Sequence, residues 1–130
     1  MDVPFKTCGH CSKSWATRDD LLTDPTVFVI GYQVDMEKLE YGLLLFLHRG
    51  ESCGTTMAVP IGEFMDLYTG PRFPDKRALT PGCPRYCIDE HQLSRCSVQC
   101  ECAVAREAVA IVTERLDAAR VELQMVGVGI

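Results

Sequence analysis

Leu43-Leu44-Leu45-Phe46-Leu47-His48-Arg49-Gly50-Glu51-Ser52-Cys53-Gly54-Thr55-Thr56-Met57-Ala58-Val59, residues 43–59, reads as a strand, a turn and a returning strand. Periodicity alone does not separate a short apolar run from a helical fragment, but the bounding Gly42 and Gly50 favour strand. Arg49 to Gly54 forms the turn, with two glycines available for positive φ. Upstream, Thr26 to Val34 is rich in β-branched and aromatic residues and supplies another strand. A small antiparallel sheet of about three strands follows.

The sheet is framed by helical segments. Thr17-Arg18-Asp19-Asp20 has the capping-box pattern, which predicts a short helix over Arg18 to Leu22 that Pro25 keeps from extending. Pro60 to Tyr68 carries Ile61, Phe64, Met65 and Tyr68 at helical spacing and reads as a second short helix. Thr69 to Pro84 holds four of the seven prolines and is expected to be an irregular loop. Asp89 to Gln92 suggests a cap and one or two helical turns.

A long helix is predicted from about Val98 to Gln124. Val104, Ala108, Ile111, Val112, Leu116, Ala119 and Leu123 form its apolar stripe. Arg106, Glu107, Glu114, Arg115, Asp117 and Glu122 are assigned to the opposite face, and Gly127 and Gly129 are expected to loosen the tail. The fold class is therefore α+β: a small sheet, short helices and a long C-terminal helix.

The chain has 130 residues, 47% of them apolar and 24% charged, which suits one globular domain with a real core. A single cysteine-rich domain over 1–130 is expected. Its knuckle and sheet occupy about 1–68, and its loop, second cysteine cluster and helix about 69–126. A net charge of −5 disfavours nucleic acid as a partner, because non-specific binding depends on neutralising phosphates. The longest apolar run falls far short of a membrane span. Met1 to Lys6 lacks the basic and apolar regions of a secretory signal, so the expected location is cytoplasmic.

Eight cysteines stand out against this ordinary background. In a reducing compartment they read as metal ligands or redox groups before they read as a disulfide framework. Thr7-Cys8-Gly9-His10-Cys11-Ser12-Lys13-Ser14-Trp15 resembles the knuckle of zinc-ribbon and zinc-knuckle proteins, in which C-x2-C precedes a small residue, a lysine and an aromatic. A two-residue insert lets both sulfurs face one ion, and Gly9 is expected to permit the tight turn. Tetrahedral closure needs two more ligands, and His48 and Cys53, bracketing the predicted turn, are the best placed. His48 reads equally well as a ligand or as a satisfied core histidine. His10 is expected to face solvent, and Trp15 to act as a packing lid.

Cys-Gly-His-Cys is also similar to the redox motif of protein disulfide isomerases. That motif, however, follows a strand and opens a helix within a βαβ unit, and only seven residues precede Cys8.

Cys83, Cys87, Cys96, Cys100 and Cys102 place five further thiols within twenty residues. Four thiolates satisfy either tetrahedral zinc or an iron–sulfur cluster, and zinc is the first expectation. A continuous helix would set Cys96 and Cys100 side by side but point Cys100 and Cys102 about 200° apart, so one arrangement must give way. His91 reads as a surface residue that can substitute as a ligand. Arg72, Lys76, Arg77 and Arg85 make the preceding loop locally basic, most simply as solvated charge.

The leading expectation is a cytoplasmic protein holding one or two zinc ions, with a structural, adaptor or regulatory role and a protein partner. The alternative is a redox protein that uses an iron–sulfur cluster or thiol chemistry between Cys83 and Cys102. A Cys53/His48 hydrolase or transferase is the lesser alternative, since no orienting acid or oxyanion motif accompanies the pair.

Overall fold

The computed structural model describes residues 3–50, 53–77, 79–96 and 98–128, and the side chains of the C-terminal helix as far as Glu122. Its order is β1 (Lys6–Thr7), β2 (Ser14–Trp15), α1 (Arg18–Leu22), β3 (Val27–Gln33), β4 (Leu43–His48), β5 (Thr55–Pro60) and α2 (Ala103–Val128), with short 3-10 turns between. β1 and β2 pair antiparallel, Lys6 opposite Trp15 and Thr7 opposite Ser14. The larger antiparallel sheet has the order β3-β4-β5, so the strand quoted first in the sequence is its centre. The fold is α+β, as the sequence pattern predicts.

Two compact units are formed from discontinuous segments. The first comprises residues 1–29, 46–57 and 112–130, and the second 30–45 and 58–111. Leu21, Leu22, Val27, Phe46, Met57 and Leu116 are buried in the first unit, and Leu44, Ile61, Phe64, Ala105, Ala108 and Val109 in the second.

β4 alternates strictly between half-buried and buried residues, and Leu44, Phe46 and His48 share the buried face. That period places His48 inward at the strand's end as a matter of register. α1 has the predicted capping box: the Asp20 N–H donates to the Thr17 hydroxyl at 3.1 Å, and the Thr17 N–H donates to the Asp20 carboxylate at 3.2 Å.

Several expectations are corrected. The helix predicted over Pro60 to Tyr68 is two 3-10 turns, Ile61–Glu63 and Met65–Leu67. The cap and one or two helical turns expected at Asp89 to Gln92 are a single hydrogen-bonded turn, in which Asp89 accepts from the His91 and Gln92 backbone amides, after a 3-10 turn at Tyr86–Ile88. α2 begins at Ala103 rather than Val98 and continues through Gly127 to Val128. Cys100 and Cys102 therefore lie in the turn before the helix, which removes the conflict between their directions on a continuous one. Arg106, assigned from its charge to the polar face, is completely buried. Leu123 of the stripe, Glu51 and Ser52 of the turn, and Gly129 lie outside the described side chains and residues.

Candidate metal centre

The first unit gathers Cys8 from the end of β1, Cys11 from the following turn, His48 from the end of β4 and Cys53 from the segment before β5. Their ligand atoms all lie within 4.8 Å of one another. Cys8 Sγ is 3.7 Å from Cys53 Sγ, and Cys11 Sγ is 3.7 Å from His48 Nδ1. A tetrahedral zinc site with arms of about 2.3 Å to sulfur and about 2.0 Å to nitrogen has sulfur–sulfur edges of about 3.8 Å and sulfur–nitrogen edges of about 3.5 Å. The two separations of 3.7 Å lie close to such edges, and the 4.8 Å limit on the whole group is compatible with them. Both separations are also far beyond a disulfide bond, and all eight cysteines are free.

The local chain explains why the first two sulfurs converge. The Cys8 N–H donates to the Lys13 carbonyl at 2.8 Å and the Ser12 N–H to the Cys8 carbonyl at 3.1 Å, closing the turn between β1 and β2. The residue in the left-handed region is Ser12, at φ 66°, and not Gly9. Gly9 has open space around it, so the tight turn does not depend on it.

The Cys11 and His10 backbone amides point at Cys8 Sγ. Hydrogen bonding from Cys11 outweighs burial and, with the bonds from His10, His48 and Cys11, holds the Cys8 thiol down at about 6. Cys53 moves the other way: burial raises it, and its thiol neighbours Cys8 and Cys11 add to that while Thr55 opposes. The first thiolate forms readily and the next resists, which is the condition a bound cation relieves.

His48 is buried and lies edge-on to Trp15, with ring centroids 5.1 Å apart. Trp15 is in turn tied by its indole N–H to Asp24 Oδ2 at 2.8 Å. The same oxygen accepts from Lys13 Nζ at 2.8 Å, and Oδ1 accepts from the Thr26 amide at 2.8 Å and hydroxyl at 2.6 Å. Burial alone would raise the Asp24 carboxyl, but the bonds from Lys13, Thr26 and Trp15 prevail and hold it at about 2. A Cβ at Gly50 would lie 3.1 Å from His48 Nε2. Sequence reasoning missed both Asp24 and Gly50. Asp24-Pro25-Thr26 carries the composition of an Asx turn, which is the signal that points to the first.

The second unit holds the other five thiols. Cys87, Cys100 and Cys102 are buried together, with Val34, Leu39 and Val98 packed against them. Cys96 is also buried and Cys83 is half-buried. The Arg77 N–H donates to Cys100 Sγ at 3.1 Å and the Arg85 N–H to Cys83 Sγ at 3.4 Å. A hydrogen bond from Cys102, partly offset by burial and aided by Arg106, brings Cys87 down to about 7, while Cys102 is pushed far up by its bond to Cys87 and by burial. Among the described residues these sulfurs do not close into a second group as tight as the first. His10 and His91 are exposed, as expected, and so are Arg72, Lys76, Arg77 and Arg85.

No protein-family model, curated protein or solved structure matches this chain. Among the described residues no helix is long and apolar enough to cross a membrane. The geometry thus defines a cysteine-rich α+β protein with a Cys3His group that can hold a metal ion.

Proposed function

We propose that this chain is a zinc-stabilised module of adaptor or regulatory type, working with a protein partner in the cytoplasm. The observation that carries this reading is the convergence of Cys8, Cys11, His48 and Cys53 from three separated stretches of chain. Three thiolates and one imidazole are a structural zinc set, and four protein ligands leave no position for a substrate. The metal then contributes to folding directly, because an unfolded chain does not hold these segments together.

The acidic net charge favours a protein partner over a phosphate backbone. A Cys53 nucleophile with a His48 base is the weaker reading. The His48 Nδ1 atom that faces the cluster lies 3.7 Å from Cys11 Sγ, and all four side chains are used as ligands.

The test is metal content and far-UV circular dichroism of the purified chain before and after chelation. The expected result is bound zinc whose removal lowers the melting temperature and loosens the fold, with Cys53→Ser reproducing the loss. Unchanged dichroism and melting after complete metal removal overturn the proposal. An intact, metal-loaded Cys53→Ser chain overturns the assigned ligand set.

A further inference from the structure

Among the described residues Arg106 is the largest fully buried side chain. Its Nη1 donates to the Gln92 carbonyl at 2.7 Å, while Nε and Nη2 have no hydrogen-bond partner among the described residues. The Tyr32 and Tyr86 rings lie 5.8 and 5.5 Å from the guanidinium, and the Tyr32 hydroxyl is itself buried and unpartnered. Aromatic faces soften the burial of a cation but do not replace a counter-charge. A guanidinium cannot shed its proton to escape the cost, so an anion must answer it. The Arg106 backbone N–H donates to the Cys102 carbonyl at 3.1 Å, which sets Arg106 one helical turn from that cysteine.

The thiols are already arranged as acceptors. Cys100 takes a backbone N–H at 3.1 Å, and Cys83 takes one at 3.4 Å from the residue two positions along. That residue, Arg85, is held in the left-handed region at φ 63°, as Ser12 is beside the first centre. Backbone amides aimed at sulfur favour thiolate over thiol.

We propose that Cys83, Cys87, Cys100 and Cys102 bind a thiophilic metal as a second, all-sulfur centre, and that Arg106 is its buried counter-charge. Four thiolates around a divalent ion leave a charge of minus two, which one guanidinium halves. Cys96 is the spare thiol and packs in the interior. The sulfurs are spread more widely than in the first centre, so this one either closes on a single zinc ion or holds an iron–sulfur cluster. The proposal concerns residues outside the Cys3His group and does not rest on it.

The experiment uses the full chain, purified anaerobically and reconstituted either with zinc alone or with iron and sulfide. Zinc, iron and acid-labile sulfide are then counted per chain. The expected result is metal beyond a single ion. Cys87→Ser should lose only this additional metal, and Cys11→Ser only the first ion. Sulfide with iron identifies a cluster, and two zinc ions without sulfide a mononuclear centre.

A chain that holds one ion under both conditions, abolished by Cys11→Ser, overturns the proposal. So does a Cys87–Cys102 disulfide found by mass mapping of unreduced protein. Cadmium NMR of the unsubstituted chain keeps the test valid if Cys87→Ser fails to fold. An all-sulfur resonance beside that of the Cys3His site supports the proposal, and a single resonance overturns it. Arg106→Met should weaken the second centre about tenfold in chelator competition and leave the first unchanged, with Arg106→Lys restoring part of the loss. Equal affinity in Arg106→Met overturns the counter-charge role.

Discussion

At the scale of single residues, the Cys3His centre depends on side chains that never touch the metal position. His48 packs edge-on to Trp15 and close to Gly50, and Trp15 is fixed by Asp24. Gly50→Ala would set a methyl group 3.1 Å from His48 Nε2, closer than ordinary van der Waals contact, so the ring would have to shift. We expect about tenfold weaker zinc binding, measured by competition with a chromophoric chelator.

Ser12 presents the opposite case. Its φ of 66° costs a non-glycine residue about 1 kcal/mol, part of which Ser12→Gly returns as extra freedom in the unfolded chain. The expected net gain is about 0.5 kcal/mol, read from the thermal midpoint of the zinc-loaded protein.

Asp24 gives the centre's surroundings a defined dependence on pH. Its folded value, about 2, lies below the ordinary 3.8, so its stabilisation is fully present above about pH 4. It is lost as the pH falls toward 2. A displacement of that size is worth about 2 kcal/mol for a buried carboxylate. Asp24→Asn should therefore destabilise the protein near neutral pH, with the gap to the parent chain narrowing below pH 4. Comparing the two by urea unfolding at matched pH and zinc cancels the protons taken up by the metal ligands themselves.

At the scale of elements, the capping box of α1 and the register of β4 follow directly from local sequence. Thr17→Ala removes the hydroxyl that receives the Asp20 amide at 3.1 Å, and should cost about 1 kcal/mol in chemical denaturation. β4 was legible because Gly42 precedes it and six apolar or aromatic-like positions end at His48, with burial alternating as a strand requires.

The start of α2 was not legible. Val98 to Cys102 has no strong breaker, and what stops the helix there is tertiary. The Glu101 amide donates to Asp75 at 2.7 Å and the Cys100 amide to Val98 at 2.8 Å, diverting donors that a helix would use. The 3-10 turns at Ile61–Glu63 and Met65–Leu67 likewise keep the apolar spacing that suggested a helix, while Phe64 at φ −120° interrupts it.

At the scale of the whole molecule, each compact unit contains one of the two cysteine groups. The first group was legible as a pair plus two candidates. Cys8 and Cys11 carry a local motif, whereas His48 and Cys53 could only be nominated because a predicted turn lay between them. Arg106 was misread because charge on a helix is ordinarily solvated. The surrounding run Ala103-Val104-Ala105 and Ala108-Val109-Ala110 was the available signal, since a segment apolar on all sides is a buried one.

By itself the sequence determined the elements whose causes are local: the capped α1, the strands β3 to β5, the long C-terminal helix and the C-x2-C knuckle. These depend on residues a few positions apart, where propensity, capping and spacing act directly. Only the tertiary structure decided that His48 and Cys53 meet Cys8 and Cys11, that Asp24 and Trp15 brace that meeting, and that a charged Arg106 lies inside beside the Tyr32 and Tyr86 rings. Those facts rest on contacts between distant segments, and the burial and electrostatics of a side chain are set by what the folded chain brings to it.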